Sequence, residues 1–192
     1  HEGSECRFRM GRDVETLRLR VFGKHNMLNA LATVAVADEL SIPREKTLRA
    51  LEAFQGVQRR FQWRGDVDGV QLFDDYAHHP SEIAATLMAA RELYPLNKIR
   101  VIFQPHRYSR VEDLFDRFSG CFKECDSVVI TDIYAAGETP LPGVHASVLA
   151  KNISQYGNKE VEYIPANIDA ITSVLSRCKP GDIVLTLGAG DL

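Results

Sequence analysis

An α/β fold, with a mostly parallel sheet carrying helices on both faces, is what this sequence predicts, and three observations predict it. From residue 69 onward, short apolar runs at 69–74, 99–104, 127–131, 160–164 and 182–187 alternate with segments of helical apolar spacing near 80–94, 110–124, 144–156 and 167–178. That alternation is the mark of strand–helix–strand crossovers. Two of the runs pass directly into histidine-rich stretches, Asp74-Asp75-Tyr76-Ala77-His78-His79-Pro80 and Gln104-Pro105-His106-Arg107-Tyr108-Ser109-Arg110. In an open α/β sheet such post-strand loops share one edge, where ligands bind. The alternation also begins only after residue 58, so 59–192 has the size of one ordinary domain and 1–58 belongs to something else.

Residues 14–22 alternate apolar and polar on a period of two and read as a half-buried strand, ended by Gly23. Leu28, Leu31, Ala32, Ala35, Val36 and Leu40 have helical spacing, with Asn26 as the N-cap. Ile42-Pro43 breaks that helix, and 44–54 reads as a second one with Pro43 near its start. One strand and two helices leave the strand with nothing to pair with. Residues 1–58 are therefore expected to be the end of a larger domain, and the chain a fragment. Residues 56–65 form a polar, arginine-bearing connection into the second part.

Composition excludes several classes. A hydrophobic content of 45% over 192 residues suits a folded soluble protein. No uncharged apolar stretch has the length of a membrane span and no signal-peptide pattern occurs, so a cytoplasmic location without membrane partners is expected. A net charge of −3 argues against a general grip on nucleic acid. Cys121 and Cys125 lie four apart with no second cysteine pair to complete a zinc motif, and read as small buried hydrophobes together with Cys6 and Cys178. No metal ligand is expected in the chain. No G-x-x-x-x-G-K-[ST] phosphate loop occurs, and no G-x-G-x-x-G turn follows the first strand after residue 58. If a nucleotide is used, its main phosphate cradle is expected elsewhere.

The residue types on the two loops are polar and directed at anions. Adjacent Asp74 and Asp75 point to opposite faces of a strand end, so one faces a cleft and the other caps the following turn; which does which stays open. His78 and His79 precede Pro80-Ser81-Glu82, a helix start, and one of the two is structural; the candidate for function is His78, with Tyr76 beside it. Arg107 and Arg110 lie three apart at a helix opening, hence on one face. Guanidiniums fork onto carboxylates or phosphates, and helix-start N–H groups add to such a site. Against this stands a surface turn paired with Glu112 and Asp113. Arg59-Arg60 is either a solvated pair or an arginine reaching a phosphate. Asn26 and Asn29, three apart on one helix face, are either a cap and a surface residue or an amide pair reading a base edge. Asp132 and Glu138 flank a third post-strand loop, either a close-approach ligand loop or a tight connection with exposed acids.

Taken in order, His25-Asn26-Met27-Leu28-Asn29-Ala30, Gly56-Val57-Gln58-Arg59-Arg60-Phe61, the two histidine loops and Thr131-Asp132-Ile133-Tyr134-Ala135-Ala136-Gly137-Glu138 resemble the Mur ligase family. Its intact members have a UDP-sugar domain, a central ATPase domain and a Rossmann-like C-terminal domain. The resemblance implies that 1–58 is the tail of the central domain and 59–192 the C-terminal, amino-acid-binding domain. It implies ATP and Mg2+ as cofactors, the metal being held mainly outside this chain. The implied substrates are UDP-N-acetylmuramate and L-alanine, joined through an acyl phosphate in peptidoglycan precursor synthesis, with the fragment inactive alone. Carried over, Asn26 and Asn29 meet adenine, Asp75 the ribose and Arg60 the terminal phosphates, while Tyr76, His78, His106, Arg107 and Arg110 hold the alanine carboxylate. Arg60 and His78 are the catalytic candidates. Phe22-Gly23-Lys24 stands where the family more often has a Pro-Gly turn. The alternatives are a related ligase that adds a peptide to the same sugar nucleotide, a non-catalytic Rossmann-like ligand-binding module, and a zinc hydrolase built on the His/Asp loops.

Overall fold

The computed structural model describes residues 3–11, 13–156 and 160–192. Its contacts divide the chain into two compact units, residues 1–58 and 59–192.

The first unit opens with a hairpin, β1 (Ser4–Met10) antiparallel to β2 (Asp13–Leu19), with Met10 opposite Asp13. Its turn starts at Gly11, whose φ of 62° lies in the left-handed region that tight hairpins require. This corrects the expectation of an unpaired strand. The alternation Cys6, Phe8 against Arg7, Arg9 makes β1 as amphipathic as β2, and the pairing turns both apolar faces toward α1 (Lys24–Glu39). Leu17, Leu19, Met27 and Ala30 form the buried centre, with Cys6, Phe8, Leu31, Leu48 and Leu51 around it. Gly23, not Asn26, occupies the cap position of α1. Asn26 lies inside the first turn, and its side-chain amide donates to the Phe22 carbonyl at 2.8 Å. α2 (Arg44–Ala53) starts directly after Pro43.

The second unit is a six-stranded sheet in the order β3-β4-β8-β5-β6-β7. β3 (Gln62–Val67) is an antiparallel edge strand where the sequence predicts a polar connection. Five parallel strands follow: β4 (Val70–Asp75), β5 (Ile99–Phe103), β6 (Ser127–Ile130), β7 (Glu160–Tyr163) and β8 (Ile183–Leu187). Side chains alternate between faces. Phe73, Val101, Phe103, Val128, Ile130, Leu185 and Leu187 point into one core. That core is covered by α3 (Pro80–Leu93), α4 (Tyr108–Asp113), α5 (Phe115–Phe118) and α6 (Ala146–Gln155). Val70, Ile102, Val129 and Val184 point the other way and meet Ala170 and Val174 of α7 (Asn167–Ser176). The helix predicted at 110–124 is two short ones, because the chain turns at Leu114.

The topology places the site. β4, β8 and β5 are parallel neighbours in register, Phe73 and Val101 both opposite Leu185, so the loops after β4, β5 and β8 leave the same rim. No described helix is long and apolar enough to cross a membrane.

Candidate functional site

The loop after β4 is set by its helix. His79 is the N-cap of α3 and its Nδ1 accepts from the Ser81 N–H at 3.3 Å. Glu82 accepts from the N–H groups of His78 and His79, each at 3.2 Å. This reciprocal cap makes His79 part of the helix start, while His78 Nδ1 lies 2.8 Å from the Tyr76 carbonyl and 3.7 Å from Glu82. His78 sits edge-on to Tyr76 at 5.3 Å between centroids and 5.7 Å from the ring of His106 in the other loop. Burial alone raises the Glu82 carboxyl, but the His78 and His79 N–H groups, the His78 ring and Arg60 outweigh it and hold it below the usual range.

The two aspartates divide as their alternation requires. Asp75 is 3% exposed, and its oxygens accept from the N–H groups of Phe61 and Ala77, both at 2.7 Å. It ties the chain entering β3 to the chain leaving β4. Expected to meet a ribose, it is almost fully buried, with both oxygens engaged by these two N–H groups. Asp74 accepts from Arg59 Nε at 3.1 Å and from the Thr186 hydroxyl at 2.9 Å. Arg59 also donates to the carbonyls of Gly188 at 2.7 Å and Gly190 at 3.1 Å, fastening the loop after β8 to the same rim. Arg59 is therefore engaged, whereas Arg60 is exposed and stands with its guanidinium carbon 5.7 Å over the Tyr76 ring.

In the loop after β5, Gln104 exchanges two bonds with Asp191, its amide donating at 2.8 Å and its carbonyl accepting the Asp191 N–H at 3.2 Å. A side chain at Gly190 would meet Gln104 Oε1 at 2.2 Å and the Tyr134 ring at 2.8 Å, so the approach demands glycine there. Arg107 caps α4 at φ 69°, ψ 134°, a strained conformation for a residue with a Cβ, held by its N–H donating to the Tyr134 carbonyl at 2.9 Å. The reason given for pairing Arg107 with Arg110, a shared helix face, does not apply, because Arg107 lies outside the helix. What unites them is His106: both guanidiniums act on it, and Arg110 Nη1 donates to its Nδ1 and its carbonyl, each at 3.1 Å. Burial first, then Arg110, His78 and Arg107, push the His106 pKa below the ordinary histidine value, with Glu138 opposing.

The loop after β6 completes the rim. Tyr134 stacks on His106 at 5.5 Å between centroids and 15° between planes. Glu138 accepts from the Ser109 N–H at 3.1 Å and hydroxyl at 2.6 Å. A helix-start N–H expected to be open to an anion is thus occupied. Asp132 accepts from the Tyr163 hydroxyl. The result is a row of four rings, Tyr76, His78, His106 and Tyr134, crossing three loops. Beside it, Arg60, Arg107 and Arg110 make no ion pair with a carboxylate among the described residues. Unpaired guanidiniums next to a rigid ring wall can seat a carboxylate or phosphate. Asn26 and Asn29 belong to the first unit: Asn26 is half-buried and Asn29 exposed on α1. Among the described residues no three His, Cys, Asp or Glu side chains cluster as a metal site.

Tyr134, Glu138 as the cap of Ser109, and the Arg59 clamp were not foreseen. The available signal was positional: Tyr134 stands in a post-strand loop like the other two, followed by Ala135-Ala136-Gly137, whose small side chains allow close approach.

Sheet order and rim together define a mostly parallel α/β domain that gathers its guanidiniums and aromatic rings on the loops at the strand carboxyl ends. The chain belongs to the Mur ligase family: residues 59–190 match the model described as Mur ligase, glutamate ligase domain. Among curated relatives, UDP-N-acetylmuramate–L-alanine ligase of Anaeromyxobacter sp. (strain Fw109-5) is 46% identical over 185 residues, covering 96% of this chain and 40% of the relative. The protein of the same name from Acidobacterium capsulatum is 49% identical over 174 residues, covering 91% and 37%. Among solved structures, the UDP-N-acetylmuramate–alanine ligase of Thermotoga maritima matches with a TM-score of 0.73 at 32% identity, covering 94% of this chain and 38% of that one. The chain thus spans about 40% of the length of the curated relatives it matches.

Proposed function

We propose that this chain is the amino-acid-binding part of an ATP-dependent ligase that joins L-alanine to the lactyl carboxylate of UDP-N-acetylmuramate in peptidoglycan precursor synthesis. The observation that carries the reading is the rim itself. Among the described residues, Arg60, Arg107 and Arg110 stand without carboxylate partners beside Tyr76, His78 and His106, in a chain 46% identical over nearly all its length to proteins of that name. In this reading residues 1–58 are the tail of the nucleotide-binding domain, with Asn26 and Asn29 toward adenine. Residues 59–192 are the domain that admits alanine.

The chemistry asked of these residues is positioning and charge neutralisation. A carboxylate oxygen of the sugar nucleotide attacks the γ-phosphorus of ATP, ADP leaves, and the alanine amine displaces phosphate from the acyl carbon. Arg107 and Arg110 seat the alanine carboxylate, which aims the amine. Arg60 offsets phosphate charge. Magnesium accompanies the nucleotide in this reading, and its ligands are assigned mainly to the remaining length of the relatives.

The test is complementation. The chain is mixed with, or joined to, the remaining length of such a relative, and phosphate release is assayed. Release that requires both L-alanine and UDP-N-acetylmuramate is expected, and the chain alone is expected to be inactive. In the active assembly, Arg107→Ala should raise the apparent KM for alanine about tenfold or more, the scale of one charge-assisted carboxylate contact, and leave that for ATP within about twofold. A defect confined to ATP would remove Arg107 from the alanine seat.

A further inference from the structure

Half-buried His106 is flanked by groups from three segments, Arg110, Tyr134 and His78. Arg110 comes from its own segment, with Nη1 at 3.1 Å from Nδ1. A guanidinium has five donors and no acceptor, so Nδ1 must be the accepting, unprotonated nitrogen. A neutral imidazole with an accepting Nδ1 carries its proton on Nε2. From the loop after β6, the Tyr134 ring lies parallel to the imidazole at 15° and 5.5 Å. The backbone reinforces that stack, since the Tyr134 N–H donates to the Pro105 carbonyl at 2.8 Å and the Tyr134 carbonyl accepts from the Arg107 N–H at 2.9 Å. From the loop after β4, the His78 ring stands tilted at 5.7 Å. The charged and titratable groups acting on His106 are Arg110, His78 and Arg107, which disfavour a positive charge on its ring, and Glu138, which favours one. Glu138 is itself engaged by two bonds from Ser109.

We infer that Tyr134 is a positioning residue that, together with Arg110 Nη1, fixes His106 as a neutral ring whose Nε2–H is a hydrogen-bond donor to the carboxylate of the bound amino acid. This rests on the reading of the rim as the alanine seat. His106 then neither abstracts a proton nor contributes a full charge. It adds a directed donor beside the guanidiniums, and Tyr134 sets the plane in which that donor points. A flat ring stacked within about 4.5–7 Å resists rotation out of its plane, and the Arg110 bond resists a flip within it.

The test is nitrogen NMR on the 192-residue chain labelled with 15N-histidine, His106 being assigned by its loss in His106→Gln. At neutral pH the unaltered chain is expected to show His106 as the Nε2–H tautomer alone. A protonated Nδ1 or an imidazolium there overturns the inference without reference to any variant. Tyr134→Phe should keep the signature, and Tyr134→Ala should turn it into a tautomer mixture; a pure Nε2–H tautomer in Tyr134→Ala removes the role given to Tyr134. L-alanine is then titrated in. The Nε2–H signal should shift in the unaltered chain and the Phe variant, with a several-fold weaker apparent affinity in Tyr134→Ala. A fixed Nε2–H tautomer that L-alanine never perturbs overturns the donor role and with it the reading of the rim as an alanine seat, while the tautomer assignment stands.

Discussion

Arg107 holds an exposed guanidinium on a backbone that suits glycine, φ 69° and ψ 134°. Such conformations cost about 1–3 kcal/mol and are tolerated where the surroundings over-determine them. Arg107→Gly should therefore raise stability by about 1 kcal/mol, after the extra chain entropy of glycine is subtracted, while removing the guanidinium from the rim. Chemical denaturation measures the first effect and alanine binding the second; a Gly variant less stable than Arg107→Ala would show that the conformation is not strained. Asp75 works in the opposite direction, through buried bonds. Asp75→Ala orphans the Phe61 and Ala77 N–H groups and should cost about 2 kcal/mol or more. Burial raises the Asp75 pKa, against the two backbone bonds and Arg60. In the window just above the ordinary aspartate value the folded state keeps a proton that the unfolded state has lost, so this group makes stability fall as pH rises through that window. Removing the carboxylate should remove that slope from a series of urea midpoints. The sequence made legible that the two histidine loops share a rim, because strand ends in a parallel sheet lie together. It could not tell which aspartate turns inward, because that depends on the backbone at Phe61 crossing beside Asp75. Nor could it show the Tyr134 stack, because no periodicity governs loops.

At the scale of elements, α3 is closed at its start by a cap that shares residues with the site. His79 and Glu82 satisfy the first N–H groups, and Pro80 has none to satisfy. Replacing Glu82 by alanine should cost about 1 kcal/mol and free the His78 loop, so a loss of thermal stability and a weaker alanine response should appear together. The pH behaviour is the reverse of that of Asp75. Glu82 has its pKa lowered on folding, so its contribution is complete above the ordinary glutamate value and is lost as pH falls through the folded one. Glu82→Ala should flatten the acid side of the stability curve; an unchanged acid limb would show that the cap carries no net weight. The parallel strands and their helices were readable because buried central strands are near-continuous apolar runs, as Ile99–Phe103 is apart from Arg100, buried at every position. β1 and β3 were missed for a common reason. Edge and hairpin strands carry Arg, Glu and Gly on their open faces, and those residues read as connections until a partner strand is known.

The second unit's sheet has two rims with different tasks. Its carboxyl-end rim carries guanidiniums without carboxylate partners, and the opposite end carries the most buried ion pair among the described residues, Arg100 on β5 with Asp182 just before β8, Nε to Oδ2 at 2.8 Å. The two side chains are 10% and 9% exposed, and Asp182 also accepts from the Lys179 N–H at 3.2 Å. Charges so placed lose most of their hydration, and the attraction between them roughly repays that loss. Breaking the pair therefore differs from replacing it. Arg100→Met or Asp182→Leu alone leaves one uncompensated charge between the central strands and should destabilise by about 3–5 kcal/mol. The double variant Arg100→Met/Asp182→Leu should recover most of that, ending within about 2 kcal/mol of the parent, since an apolar pair of similar volume needs no hydration. The coupling is read from denaturant midpoints of the four proteins, the parent, two singles and the double, at neutral pH. Additive losses would mean that the pair is hydrated and worth no more than a surface contact. If the coupling is large, the carboxyl-end rim is free to keep its guanidiniums unpaired because the opposite end, where β5 and β8 begin, holds the sheet's centre together.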